Sequence, residues 1–393
     1  MTVRTYDLIL FGATGFAGRL TAEYLARHAP ADCNWALAGR SLGKLEQVRS
    51  ALSEIDPALA DLPLLTADAT DPASLRAIAE STKVVITTVG PYIHYGEPLV
   101  EACAEAGTDY VDLTGEPEFV DSMYLRHHAR AIQTGARLIH SCGFDSIPHD
   151  LGAYFTVQQL PQDVALTVSG YVQASAAFSG GTFHSAITAF SRMRGSIALA
   201  RQRRAVEQAE EPAQQRRAKV VVGKPHHDSA SGGWAVPLPT IDPQIVVRSA
   251  RALPRYGPDF HYSHFASIPH LWTVAVGVAG MGTLFGLAQI PPARAALLRR
   301  IKPGDGPSEA KRARSWFTVT FIGEGGGAKV ITRVSGGDPG YDETAKMLAE
   351  SALSLAFDEL PATAGQVTTA AAMGDALIER LQKAGLTFEV IAS

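Results

Sequence analysis

The run Tyr6-Asp7-Leu8-Ile9-Leu10-Phe11-Gly12-Ala13-Thr14-Gly15-Phe16-Ala17-Gly18 decides the fold. Leu8–Phe11 is a short, continuously apolar stretch that stops at a glycine, as a strand buried on both faces of a parallel sheet does. Leu20, Tyr24 and Leu25 then recur at helical spacing, and Trp35-Ala36-Leu37-Ala38 reads as a second strand, closing a strand–helix–strand unit. Within the loop, Gly12 permits a sharp turn, Gly15 lets backbone amides approach a diphosphate, and Gly18 allows close helix-to-strand packing. Thr14 and Phe16 complete a loop that ends on a helix N-terminus, whose partial positive charge favours phosphate. The glycine spacing is G-x-x-G-x-x-G, so the strand before and the helix after carry the reading; a tight turn without ligand is the alternative.

The alternation continues outward. Apolar stretches near Leu62–Thr66, Val84–Val89, Tyr110–Leu113 and Arg137–Ser141 are separated by helical patterns at Pro72–Ser81, Glu97–Ala106 and Glu118–Thr134. Six such strands predict an α/β fold, a doubly wound Rossmann-type parallel sheet over residues 1–150. Beyond Asp150 the rhythm becomes that of a second, mixed α+β domain over 151–338, with expected strands at Ala165–Gln173, Ile245–Ser249, Trp316–Ile322 and Lys329–Val334. Gly323–Gly327 would close the last pair as a hairpin, and a long helix is expected over Thr182–Glu210. Glu207–Lys219 reads as a solvated helix end or linker. Residues 339–393 are expected to return as helices, Tyr341–Leu360 and Gly374–Lys383, that pack on the first domain.

Composition sets the outer bounds. With 46% hydrophobic and 19% charged residues over 393 positions, a buried core is affordable and wholesale disorder is excluded. A net charge of -4 lacks the basic surplus that a nucleic-acid phosphate backbone requires. Cys33, Cys103 and Cys142 lie far apart, forming neither a disulfide framework nor paired zinc spacing, so a cytoplasmic setting is expected. No metal is expected either, since His140, His184, His226 and His227 have no ligand spacing with carboxylates. A serine nucleophile is unsupported because no Gly-x-Ser-x-Gly elbow follows a strand.

The second strand runs into Gly39-Arg40-Ser41, with Lys44 close behind, where an NAD site usually carries an acid for the ribose hydroxyls. A guanidinium and a hydroxyl suit the 2′-phosphate of NADP(H) instead, unless these residues simply open a solvated helix. Asp68, after the third strand, could approach the adenine, or it or Asp71 could cap a helix.

Further marks are Gly90-Pro91-Tyr92 with Tyr95-Gly96, Asp109-Tyr110-Val111-Asp112-Leu113-Thr114-Gly115-Glu116, and Cys142-Gly143-Phe144-Asp145-Ser146-Ile147-Pro148. With the Gly12–Gly18 loop, Gly337-Asp338-Pro339-Gly340-Tyr341 and Ala372-Met373-Gly374-Asp375, they make the chain resemble the saccharopine dehydrogenase-like oxidoreductases, especially the bacterial trans-acting enoyl reductases. Thr368-Thr369-Ala370 departs from a Thr-Pro-Ala expected of that family, a local difference. The resemblance implies an NADPH-dependent oxidoreductase reducing the C=C bond of a lipid-like or acyl-carrier-bound substrate. A saccharopine-type amino-acid or imine oxidoreductase and a non-catalytic NADP-binding protein are the rivals.

Ligands of open α/β sheets bind beyond the carboxyl ends of the strands, which points to Gly90–Gly96, Thr114–Glu116 and Gly143–His149. Gly90 and Pro91 would turn over the nicotinamide, and Tyr92 or Tyr95 could donate a proton. For an enoyl thioester, Tyr92, Ser146 and His149 have the group types to stabilise an enolate oxygen or protonate the α-carbon. Each has a plainer alternative: Tyr92 stacking on the cofactor, Asp145 and Ser146 capping a helix, His149 as a satisfied polar residue, and Glu116 orienting a tyrosine or beginning a helix. Leu271–Ile290 holds no charge over 20 positions, enough for about 30 Å of helix. Membrane-surface contact, an acyl channel, a buried helix and a homodimer contact are its candidate uses.

Overall fold

The computed structural model describes residues 4–175, 195–207, 216–228, 231–270 and 307–393, with a few positions between 280 and 293. They form two compact units. The first holds Met1–Phe144 and Tyr341–Ala384, the second Asp145–Gly340 and Gly385–Ser393.

The first unit is built on a seven-stranded sheet. Its strands are β1 (Tyr6–Phe11), β2 (Trp35–Gly39), β3 (Leu64–Thr66), β4 (Thr82–Thr87), β5 (Asp109–Asp112), β6 (Arg137–Ile139) and a late strand, Gly365–Val367. All neighbours are parallel, in the order β3, β2, β1, β4, β5, β6 and then the late strand. Leu8, Ile9, Leu10, Val84, Val85, Ile86 and Val111 are fully buried, the mark of strands covered on both faces. The covering helices are α1 (Phe16–His28), α2 (Leu42–Ile55), α3 (Pro72–Ser81), α4 (Tyr92–Tyr95), α5 (Glu97–Ala106) and α6 (Pro117–Thr134). The helix Asp342–Phe357 returns to pack on α1, β1, β4 and β5. Winding reverses between β1 and β4, so the loops leaving these strands form the switch point at which such sheets bind ligands. The seventh strand, Gly-Gln-Val, lacks the apolar run that marks β3 and β6 at the same length, so the sequence does not show it. At the departure from the family pattern, Thr368 caps a short helix by accepting from Ala371 N, with Thr369 at the first helical position, where a proline would also fit.

The second unit carries an eight-stranded mixed sheet. Its strands are β7 (Leu166–Ser175), β8 (Arg217–Val220), β9 (His226–Asp228), β10 (Gly233–Pro237), β11 (Asp259–Ile268), β12 (Trp316–Gly325), β13 (Ala328–Gly336) and a terminal strand, Thr387–Ala392. Helix α7 (Ile147–Gln158) packs on β7, β12 and β13; residues 195–207 form α8, and α9 (Asp242–Ala252) lies on β8 and β11. Gly326 and Gly327, at φ +58 and +80, close the β12–β13 hairpin as a two-residue turn with positive φ at both positions requires.

Several expectations are corrected here. Ile245–Ser249 is helix, not strand: Asp242-Pro243 starts a helical turn, and Ile245, Val246, Ser249 and Ala250 fall on its buried side, which overrides the β-branched run. Within Glu207–Lys219, Glu207 is still helical and Arg217–Lys219 already belong to β8, while 208–215 lie outside the described residues. The last residues form a strand against β13 in the second unit. Of the expected helix over Thr182–Glu210 only 195–207 is described, and it is helical; Leu271–Ile290 lies almost wholly outside the described residues. Among the described residues, no helix is long and apolar enough to cross a membrane.

Candidate functional site

At the switch point, Gly12 sits at φ +94 between β1 and α1, a conformation that disfavours any side chain. Its amide donates to Ala38 O (3.0 Å), and its carbonyl accepts from Gly15 N (3.0 Å) and from Thr88 Oγ1 (3.1 Å), tying the β1 loop to the β4 loop. A Cβ on Gly18 would stand 2.2 Å from Gly12 O, so Gly18 is required by packing alone. Gly15 differs: its Cβ would meet nothing closer than Gly12 O at 3.5 Å, so the fold itself would accept alanine there. Gly15 is exposed at the N-cap of α1, where no side chain caps the helix and no acid stands in the first turn. A helix start with no side-chain cap and a bare backbone are what an approaching diphosphate requires. Thr14 is half-buried, and Phe16 packs edge-on against Tyr341 at 4.7 Å.

Arg40, Ser41 and Lys44 are exposed at the start of α2. Ser41 is its N-cap yet makes no capping bond, and no acid occupies the first turn. Arg40 forms no salt bridge or side-chain hydrogen bond among the described residues, although its charge reaches Asp68. The group therefore presents cationic and hydroxyl donors with no internal anion to consume them, which fits a phosphomonoester. Asp68 is turned to local work: its Oδ1 accepts from Thr70 N (2.8 Å) and Thr70 Oγ1 (2.7 Å), bonds that hold its carboxyl below the usual range. Asp71, accepting from Ala73 N, is the helix cap.

Gly90 and Pro91, joined by a cis peptide, lead from the β4 loop into α4. Tyr92 is placed otherwise than a surface proton donor would be. It is 6% exposed, its hydroxyl donates to Thr87 O (3.1 Å) and accepts from Leu113 N (3.1 Å), and burial pushes its pKa well up. Glu116, at the N-cap of α6, accepts from Tyr92 N (3.2 Å) and Ile93 N (2.9 Å); burial raises its pKa, opposed by those bonds. Tyr95 is 43% exposed beside His94. Behind this loop Asp112 spends both oxygens, accepting from Thr114 N (3.0 Å), Ser141 N (2.9 Å) and Tyr110 Oη (3.0 Å), with His140 Nδ1 at 2.7 Å.

Ser146 and His149 belong to the second unit, Tyr92 and Tyr95 to the first. Ser146 is fully buried at the N-cap of α7 but makes no side-chain capping bond. Asp145, exposed at its edge yet closely crowded by protein, has its pKa pushed up to about 6 by that crowding and by Asp242, with His149 opposing. Its carboxylate makes no hydrogen bond among the described residues, so the expected cap is not formed. His149 is buried with Nδ1 3.1 Å from Asp242 Oδ1, and Asp242 Oδ2 lies 3.5 Å from His264 Nε2. Burial works to raise the Asp242 pKa, but the two imidazoles outweigh it and hold the carboxyl low; burial lowers that of His264. Asp242 and His264 escaped sequence reasoning, since positions so far apart carry no spacing signal.

A family model for the saccharopine dehydrogenase NADP binding domain matches residues 8–139. A Mycobacterium tuberculosis protein provisionally named a trans-acting enoyl reductase is 41% identical over 99% of this chain and 98% of its own length. A trans-acting enoyl reductase of the same species is 38% identical over 98% of this chain and 97% of its own. Among solved structures, saccharopine dehydrogenase (L-Glu forming) from Saccharomyces cerevisiae aligns over 98% of this chain and 100% of that one, with TM-score 0.54 at 12% identity, a likeness of fold.

Proposed function

From the premise that the chain belongs to the trans-acting enoyl reductase family, NADP-dependent oxidoreductases of the saccharopine dehydrogenase-like fold, we propose that it reduces the C=C bond of an enoyl thioester presented by a separate carrier. The cofactor is NADP(H). When bound it supplies a hydride to the β-carbon of the substrate. The amides of the first turn of α1, after Gly15, hold the diphosphate, while Arg40, Ser41 and Lys44 take the 2′-phosphate. Hydride arrival leaves an electron pair on the thioester enolate; the Tyr95 hydroxyl gives its proton to the α-carbon and is restored from water. Tyr92 and Glu116 brace the loop that carries Tyr95, and Gly90-Pro91 shapes it. What favours Tyr95 is its exposure in the switch-point loop, against the fully engaged phenol of Tyr92.

The single observation that carries the cofactor reading is the exposed Gly15 at an uncapped helix start, a glycine for which the fold has no use of its own. The uncharged run Leu271–Ile290 suits a long acyl chain, and peripheral contact with a membrane, better than a free amino acid. Single-turnover mixing with NADPH and an enoyl thioester tests the reading. Oxidation of NADPH matched by saturated thioester is expected; oxidation only with an oxo acid and an amine, or none with any acceptor, contradicts it.

A further inference from the structure

Three elements of the second unit converge on one buried point: His149 from the first turn of α7, Asp242 from the first residue of α9, and His264 from the middle of β11. One ligating atom from each lies within 4.8 Å of the other two, and the residues are 1%, 2% and 5% exposed. We propose that His149, Asp242 and His264 form a binding site for a divalent transition-metal ion of the zinc or cobalt class.

Geometry favours convergence on a shared cation over simple pairing. The carboxylate-to-imidazole distances are 3.1 and 3.5 Å, yet Asp242 Oδ1 and His264 Nε2 have no hydrogen-bond partner among the described residues. Buried polar atoms normally find such partners, and a buried carboxylate oxygen or ring nitrogen without one is costly. Bonds of about 2.0–2.1 Å to a tetrahedral ion put neighbouring ligand atoms about 3.3 Å apart, so the three, already within 4.8 Å of one another, would need only to draw in slightly.

The surroundings match. Tyr262 Oη lies 3.1 Å from His264 Nδ1, which orients the ring and leaves Nε2 facing Asp242, as outer partners of metal-bound imidazoles do. That hydroxyl has its place because residue 170 is glycine: a Cβ there would stand 2.5 Å from it. Asp145, whose charge acts on Asp242 and His149, adds negative potential. Two imidazoles and one carboxylate suit zinc, cobalt or nickel rather than the all-oxygen shells of calcium and magnesium. Standing at positions 149, 242 and 264, the three residues carry no ligand spacing in the sequence, which is why no metal is expected from it.

The test uses the full chain stripped with chelator and titrated with Co(II). The expected result is one equivalent bound, with visible absorption bands that zinc abolishes and with a raised melting temperature. Asp242→Asn and His264→Gln should lose the bands, and Tyr262→Phe, which keeps all three ligands, should weaken binding by about 10–100-fold. The absence of Co(II) bands in folded wild-type protein, together with no zinc in protein purified without chelator, would overturn the proposal. Equal Co(II) affinity in Tyr262→Phe, Asp242→Asn and wild type would do so as well.

Discussion

Two glycines three residues apart should fail in opposite ways when each receives one methyl group. In Gly18→Ala the new Cβ would stand 2.2 Å from Gly12 O and 2.7 Å from Thr88 Oγ1. Neither neighbour can retreat, because Gly12 N is bonded to Ala38 O and Thr88 N to Phe11 O. Overpacking of this kind costs about 1–3 kcal/mol. At roughly 2–4 °C per kcal/mol in a domain of this size, the melting temperature should fall by about 2–12 °C with no ligand present. In Gly15→Ala the backbone, at φ -76 and ψ 168, already suits alanine, and the nearest atom is 3.5 Å away. The weaker N-cap costs under about 1 kcal/mol, offset by about 0.4–1 kcal/mol of lost unfolded-chain entropy. Its stability should therefore stay close to wild type. NADPH affinity should not: losing one charge-assisted bond to a diphosphate costs about 1.5–3 kcal/mol, a rise of about 10–150-fold in Kd. Thermal denaturation and calorimetric titration of both variants read the contrast directly. Wild-type NADPH affinity in Gly15→Ala would refute the phosphate cradle, and wild-type stability in Gly18→Ala would refute the packing argument.

Further tests separate bracing from chemistry. Tyr92→Phe leaves Leu113 N without its partner, at a cost of about 1–3 kcal/mol, so it should melt earlier while NADPH oxidation stays within a few-fold of wild type. Tyr95→Phe should do the reverse, with unchanged melting and turnover down by about 100-fold or more; equal turnover would remove Tyr95 from the proton transfer. At Asp358, burial works to raise the pKa, but Arg380, donating at 2.6 and 2.7 Å, outweighs it and holds the carboxyl below its usual range. A lowered folded-state pKa contributes stability above the unfolded value of about 4 and loses it as pH falls through the folded value. Asp358→Asn should thus melt below wild type at neutral pH, with the gap closing as pH falls from about 5 through the lowered folded value; a gap independent of pH would disprove the linkage.

Much of the first unit was legible because both signals in it are local. Leu8–Phe11 is apolar without interruption, and Gly12, Gly15 and Gly18 sit where strand meets helix. The second unit was harder for physical reasons. Ile245-Val246-Val247 looks like strand, yet its apolar face is used as one side of α9, while β11 alternates His261, Ser263 and His264 with aromatics and gives no clean apolar signal. Partnering by hydrogen bonds is invisible in sequence. Tyr92 and Tyr95 are the same residue type in one short loop, and only the structure shows that Thr87 O and Leu113 N occupy the first of them.

The most direct measurement titrates wild type and Arg40→Ala with NADPH and with NADH by calorimetry. NADPH should bind wild type about 10–100-fold more tightly than NADH, and Arg40→Ala should erase most of that preference while leaving NADH affinity unchanged. Equal affinity of wild type for the two coenzymes, or an undiminished preference in the variant, would contradict the account.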